Sequence, residues 1–326
     1  MAKLGDFMRI KHGFAFKGDY ITAEDNEIVL VTPGNFEIGG GFKEKKCKFF
    51  SGDYPKDYVL HADDLIVTMT DLSKQGDTLG YSARVPNSNR IYLHNQRIGL
   101  VDVFNPNADK DYLYWFMRTP QYQKKIVATA SGSTVKHTSP SRICDVEINL
   151  PSIDKQKKIA SLLTSIEKKI HISERINDNL EQQAAALFSS LYNRSNTEVR
   201  YTDLIQILGG GTPKTGETAY WNGNIAFFTP KDVGTPYTFI TEKTITEEGL
   251  SHCNSRLYPV NTVFVTARGT VGKVGLSGVP MAMNQSCYAL VGKETHQLLV
   301  YFYTLKAVDR LKHKASGAVF DAIKVG

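Results

Sequence analysis

The feature that most restricts what this chain can fold into is that it repeats itself. Residues 1–150 and 200–326 carry the same landmarks in the same order. Residues 28–35 match 225–232, and 61–68 match 258–265. Leu79-Gly80 matches Val274-Gly275, and His94-Asn95-Gln96 matches Met283-Asn284-Gln285. Residues 112–116 match 299–303, and 130–133 match 315–318. The offset drifts from 197 (28 to 225) to 185 (130 to 315), as loop insertions and deletions require. Six ordered matches imply two copies of one domain of about 150 residues.

Each copy reads as mostly β. Short runs rich in Val, Ile, Phe and Thr, such as 64–70, 97–104, 262–266 and 287–291, are bounded by Gly, Pro, Asn and Asp. One helix per copy is expected, at 110–128 and 295–314, with its aromatic face packed on the sheet.

Between the copies, residues 152–193 hold no Gly and no Pro. Pro151 and Ser152 suit a helix start, with Asp154 in the first turn. Ile159, Leu162, Leu163, Ile166, Ile170, Ile176, Leu180, Ala184, Leu187 and Leu191 form one stripe. Its i, i+4 pairs step by seven residues, and only Ser173 and Asn177 interrupt them. A sustained seven-residue period predicts a coiled-coil seam. At 1.5 Å per residue the helix is a rod of roughly 60 Å. The opposite face, with Lys155, Lys157, Lys158, Glu167, Lys168, Glu174, Arg175 and Glu181, reads as solvated or as a partner surface. A lone helix with this stripe needs a second helix against it, from another chain, a second copy included, or from a part of the gene product outside this sequence.

Two similar domains at the ends of a rod present two reading heads, a geometry suited to two short DNA sequences at a set spacing. Loop chemistry agrees, because Arg and Lys can pair with guanine and Asn and Gln with adenine. The candidates in the first copy are Lys74, Gln75, Asn95, Gln96, Arg97, Lys136 and His137. In the second they are Thr212, Lys214, Lys231, Arg268, Thr270, Lys273, Asn284 and Gln285. The formal net charge of +6 permits a polyanion without demanding one. Cys47, Cys144, Cys253 and Cys287 form no C-x-x-C pair. They read as reduced structural thiols, with no metal site expected. No apolar run reaches the ~18 residues of a membrane span, and the cytoplasm is the expected compartment.

The sequence also carries a family resemblance. Gly210-Gly211-Thr212-Pro213, Tyr220-Trp221-Asn222-Gly223-Asn224-Ile225 and Thr229-Pro230-Lys231-Asp232 resemble the opening motif of a target recognition domain in type I restriction-modification specificity subunits. Residues 150–159 and 176–188 are similar to the start and distal part of that family's spacer helix, and Ala130-Ser131-Gly132-Ser133-Thr134 to the motif preceding it. The resemblance implies an α+β chain: target recognition domain 1 at 1–150, a coiled-coil-type spacer helix at 151–194, and target recognition domain 2 at 195–326. The family carries a second, antiparallel spacer helix after the second domain. It is absent here, so that domain is expected to be C-terminally incomplete. The resemblance further implies a non-catalytic chain reading a bipartite site on double-stranded DNA and docking modification (methyltransferase) subunits that methylate adenine. Restriction (translocase/endonuclease) subunits would join them. No cofactor is expected in this chain; S-adenosylmethionine, ATP and Mg are expected on the partners. No G-x-x-x-x-G-K-[ST] phosphate loop and no Asn/Asp-Pro-Pro-aromatic methyltransferase motif is present. Two alternatives stay open: the recognition region of a fused restriction-methyltransferase, against which the start at Met1 near the first strand weighs, and a coiled-coil protein-interaction scaffold without DNA binding.

Overall fold

The computed structural model describes residues 2–73, 75–195, 199–234 and 236–314. The landmark at 315–318 and Lys74 lie outside them. The chain divides into two compact units, Met1–Glu174 and Arg175–Gly326, each mixing sheets with helices.

In the first unit, Leu65-Ile66-Val67 is apolar at every position because both faces of its sheet are covered, so alternation is lost. This strand, Leu65–Thr68, belongs to a four-stranded antiparallel sheet in the order Met8–His12, Ile98–Val103, Leu65–Thr68, Ser82–Arg84. Leu65 and Val67 pack with Leu113, Tyr122 and Ile126 of the helices. Ile66 points the other way, into Val29, Val31 and Tyr92. Those three belong to a five-stranded sheet ordered Ile21–Thr22, Lys48–Phe50, Ile28–Val31, Ile91–His94, Val59–Leu60, whose third and fourth strands are parallel.

The second unit repeats the plan. Ile205–Gly209, Cys287–Gly292, Val263–Thr266 and Val274–Ser277 are consecutive in one sheet, and Trp221–Phe228 lies parallel to Met281–Met283 in the other. Val263 and Val265 pack with Val300, Tyr301 and Val308, while Phe264 packs with Phe228, Tyr258 and Met281.

Strand register corrects two of the sequence matches. Thr68 pairs with Ile98, and Thr266 pairs with Cys287. Residues 61–68 therefore align with 259–266, one residue later than expected. A one-residue slip matters because it exchanges the two faces of a strand. The left-handed pair Asp63 (φ 66°) and Asn261 (φ 69°) falls into place with the shift. Leu79-Gly80 aligns with Val271-Gly272, not Val274-Gly275. Gly80 N donates to Thr68 O at 3.0 Å and Gly272 N to Thr266 O at 2.8 Å, both from positive φ (82° and 76°), which glycine adopts without steric cost.

The expected single helix at 110–128 is two, Lys110–Phe116 and Pro120–Ala128. Proline cannot donate to a continuing helix. It sits instead at the first position of the second helix, behind the Thr119 cap. Its counterpart Gln297–Lys314 has no proline and is continuous.

The spacer helix is unbroken over Ile153–Arg194. In the first unit Gln156 and Ala160 are buried. Gln156 Oε1 accepts from Asp109 N at 2.9 Å, and Nε2 donates to Asn107 O and Pro151 O at 2.8 Å each. Glu167, which the sequence places on a solvated or partner-facing side, is instead largely covered within its own unit and ion-paired with Arg118. Tyr114 OH donates to Glu167 Oε1 at 3.1 Å, Trp115 Nε1 to Thr164 Oγ1 at 3.0 Å, and the Arg118 guanidinium lies over the Trp115 ring at 4.5 Å. In the second unit Phe188 is buried, stacked on Phe302 at 5.4 Å and edge-on to Tyr303 at 5.0 Å. Tyr301, the repeat equivalent of Tyr114, donates to Glu181 Oε1 at 3.3 Å. The coiled-coil stripe remains uncovered: Ile159, Leu162, Ile166, Ile170, Ile176, Leu180, Leu187 and Leu191 are exposed, as is Ala184, with Leu163 half-buried.

Candidate nucleic-acid interface

Parallel pairing sets the position of the candidate residues. Because Ile28–Val31 and Ile91–His94 run in the same direction, their C-terminal ends finish together, and Asn95-Gln96-Arg97 emerges there. Asn95 Oδ1 accepts from Arg97 N at 3.0 Å, closing an Asx turn. Trp221–Phe228 and Met281–Met283 repeat this in the second unit, where Asn284 Oδ1 accepts from Ser286 N at 3.0 Å. Sequence reasoning took both asparagines for base readers. Asn95 is buried and its carbonyl oxygen is committed to the turn; Asn284 is half-buried with its oxygen equally committed. Their neighbours Gln96 and Gln285 are the exposed tips.

In the first unit, Met69 N donates to Arg97 O and Thr138 N to Met69 O, each at 2.9 Å. The Asx turn, the Thr70–Asp71 strand and the Lys136–His137 strand therefore lie side by side. They line a cleft of about 600 Å³ with His12, Phe14, Thr70, Gln96, Arg97 and His137 on its walls. Thr70 Oγ1 and His137 Nδ1 are 3.2 Å apart. Lys136 is half-buried and His137 exposed. Gln75 is exposed on the loop that follows Asp71. Burial of Asp71 penalises its charge, but hydrogen bonds from Thr78 and Ser73 outweigh this and hold its carboxyl below the usual range.

In the second unit, Ala267 N and Arg268 N approach Ser286 O at 2.8 and 3.3 Å, the counterpart of Met69 on Arg97. Arg268, Thr270 and Lys273 are exposed on this loop. Thr266 Oγ1 donates to Thr270 O and accepts from Lys273 N at 2.9 Å. Thr212 Oγ1 donates to Gln285 Oε1, joining the Gly-rich loop to the Asx turn. Lys214 is exposed, and its carbonyl accepts from Trp221 Nε1 at 3.1 Å. Lys231 differs from the other cations: it is exposed but paired with Glu242 at 3.6 Å. Arg97, Lys136, Lys214, Arg268 and Lys273 make no ion pair among the described residues.

The structure adds His12, Phe14 and Thr70, which sequence reasoning passed over. A signal was available: Gly13 precedes Gly210 by 197, the offset of the first landmark. A Cβ on Gly13 would meet Asn95 O at 2.1 Å, and one on Gly210 would meet Asn284 O at 2.3 Å. In both copies a glycine lets this segment lie against the Asx turn. The two edges share a backbone plan and differ in side chains. Arg97 stands where the other copy has Ser286. Residues 69–79 (eleven) separate Thr68 from Gly80, against 267–271 (five) between Thr266 and Gly272.

No group of three or more His, Cys, Asp or Glu among the described residues is arranged to hold a metal ion. The four cysteines are free, and burial pushes the Cys287 thiol up to about 12. Among the described residues no helix is long and apolar enough to cross a membrane.

The model of the type I restriction modification DNA specificity domain matches residues 1–182 and again 193–324. The MjaIX specificity subunit of Methanocaldococcus jannaschii is 31% identical over 128 residues, covering 37% of this chain and 30% of that protein. The EcoBI specificity subunit of Escherichia coli is 30% identical over 157 residues, 48% of this chain and 30% of that protein. The alignments thus span about a third of the length of these curated relatives. The crystal structure of a type I restriction-modification S subunit from M. genitalium shares the fold, with a TM-score of 0.64 and 14% identity, covering 99% of this chain and 80% of that one.

Proposed function

Because this chain belongs to the type I restriction modification DNA specificity family, we propose that it selects DNA sequence for partner subunits that carry out the chemistry. The observation that carries this reading is the duplicated edge: one backbone arrangement in each unit, with exposed amides and unpaired cations that differ between copies. Each unit reads one part of a bipartite site. Arg97 and Arg268 are suited to bidentate pairing with guanine and Gln96 to adenine, while Gln285, whose Oε1 accepts from Thr212 Oγ1, offers its amide N–H groups. Lys136, Lys214 and Lys273 serve phosphates. Asn95 and Asn284 position the readers.

The chain is non-catalytic in this reading and holds no cofactor. Modification subunits bring S-adenosylmethionine and methylate adenine; restriction subunits bring ATP and Mg. The exposed stripe of the spacer helix is the docking face for a helix of another subunit or of a second copy. The assembly works in the cytoplasm. The domain limits, 1–150, 151–194 and 195–326, follow the same reading.

The test is to combine the chain with its cognate modification subunit and map adenine methylation across a genome. A two-part motif with a fixed gap is expected. Methylation without a motif, or at a single uninterrupted motif, overturns the reading.

A further inference from the structure

The loop between Asp71 and Thr78 is tied down by hydrogen bonds, yet it leaves a leucine outside. Asp71 accepts from Ser73 N at 2.6 Å and from Thr78 Oγ1 at 2.6 Å, and also from Thr78 N. Ser73 Oγ accepts from Gly76 N at 3.0 Å and Asp77 N at 2.9 Å, and Gln123 Nε2 donates to Gly76 O at 2.8 Å. With Asp71, Ser73 and Gly76 so held, Leu72 is 67% exposed. The anchors at Asp71, Ser73 and Gly76 fix the backbone on which Leu72 is carried, so its apolar side chain is presented from a set position. Leu72 directly follows the Thr70–Asp71 strand, whose neighbours are His137, Arg97 and the cleft. The shorter loop of the second copy presents Arg268 and Thr270 instead, and its only large apolar residue, Val271, is half-buried.

Resting on the DNA-reading function above, we propose that Leu72 is a specificity-determining residue that reads the C5-methyl group of thymine in one part of the site. The major groove displays that methyl only on A·T and T·A pairs, and an apolar side chain recognises it by excluding water. Of the neighbouring cations, Lys136 serves phosphate and Arg97 guanine. They cannot distinguish the pairs by this group, and Leu72 can. Burial of one methyl corresponds to about 0.8 kcal/mol, roughly a four-fold preference.

The experiment compares randomised duplex libraries amplified with dTTP or with dUTP, since uracil lacks only the methyl. Full-length wild-type, Leu72→Ala and Leu72→Ile chains select from each. The wild type is expected to enrich thymine at one or two positions of one part of the motif, and to lose roughly four-fold of that preference per position in the dUTP library. Leu72→Ala loses the same preference in the dTTP library and is indifferent to uracil; Leu72→Ile retains it. A wild-type motif unchanged by uracil, thymine preference surviving in Leu72→Ala, or uniform weakening on all sequences overturns the proposal. Failure of the wild type to enrich any motif overturns the DNA-reading function itself.

Discussion

Alanine at Gly210 should be far more damaging than alanine at Gly209, one residue away. A Cβ at position 210 would lie 2.3 Å from Asn284 O and 2.5 Å from Met283 O, while one at 209 meets nothing within 4 Å. Ordinary contact begins near 3.4 Å, so the two segments must separate by about 1 Å. That strains the Gly211 N–Met283 O hydrogen bond, now 3.1 Å. Overpacking costs ~1–3 kcal/mol and a lost backbone hydrogen bond ~0.5–1.5 kcal/mol, about 2–4 kcal/mol together. Gly209→Ala, with no left-handed φ to violate, should be neutral or gain ~0.4–1 kcal/mol through a less flexible unfolded chain. The chain has two tryptophans, Trp115 in the first unit and Trp221 in the second, so a Trp115→Phe background reports the second unit by fluorescence. With a urea m-value of about 2 kcal/mol/M, Gly210→Ala should lower its midpoint by roughly 1–2 M. Equal damage from Gly209→Ala, or a silent Gly210→Ala, would refute the close approach on which the candidate edge is built.

Arg268→Ala should relax preference at one base pair by ~1–3 kcal/mol in competition binding; equal weakening on every sequence would place the residue on phosphate instead. Arg118→Met leaves the largely buried Glu167 carboxylate without its cation and should destabilise the first unit by ~3–5 kcal/mol in thermal unfolding. Arg118→Lys should rescue only part, because one ammonium cannot bind Gly39 O, pair with Glu167 and stack on Trp115 together. Asp71 has a carboxyl pKa depressed from 3.8. Its contribution to stability is therefore complete above that value and lost as pH falls through the lower folded one. Asp71→Asn should flatten the acid limb of the first unit's stability curve below pH ~4; an unchanged limb would show that the loop does not depend on that charge.

The duplicated domain and the spacer helix were legible because each rests on periodicity, which a sequence displays directly. The one-residue error in aligning 61–68 arose where the copies share only a run of apolar residues, and only the ladder partners Ile98 and Cys287 decide register there. Pro120 marks the break between the two helices, while the aromatic residues on either side of it carry one continuous apolar pattern. The candidate edge was half legible. The repeated Asn-Gln dipeptide marked equivalent turns in the two copies, but which of the two side chains faces out depends on the Asx hydrogen bond. Glu167 and Glu181 read as solvated or partner-facing because a one-dimensional pattern cannot show that Tyr114 and Tyr301 reach them from far along the chain.

The Asx turns have a bearing on how such a protein changes over generations. Each is held by a main-chain amide and one asparagine oxygen, and the adjoining glycine by the absence of a side chain, so none of the supports is supplied by the side chains of Gln96, Arg97 or Ser286. Exposed positions uninvolved in packing tolerate substitution at about half a kcal/mol or less. Mutation there can alter what is contacted while folding hardly registers it, and a lineage can explore new targets without passing through unfolded ancestors.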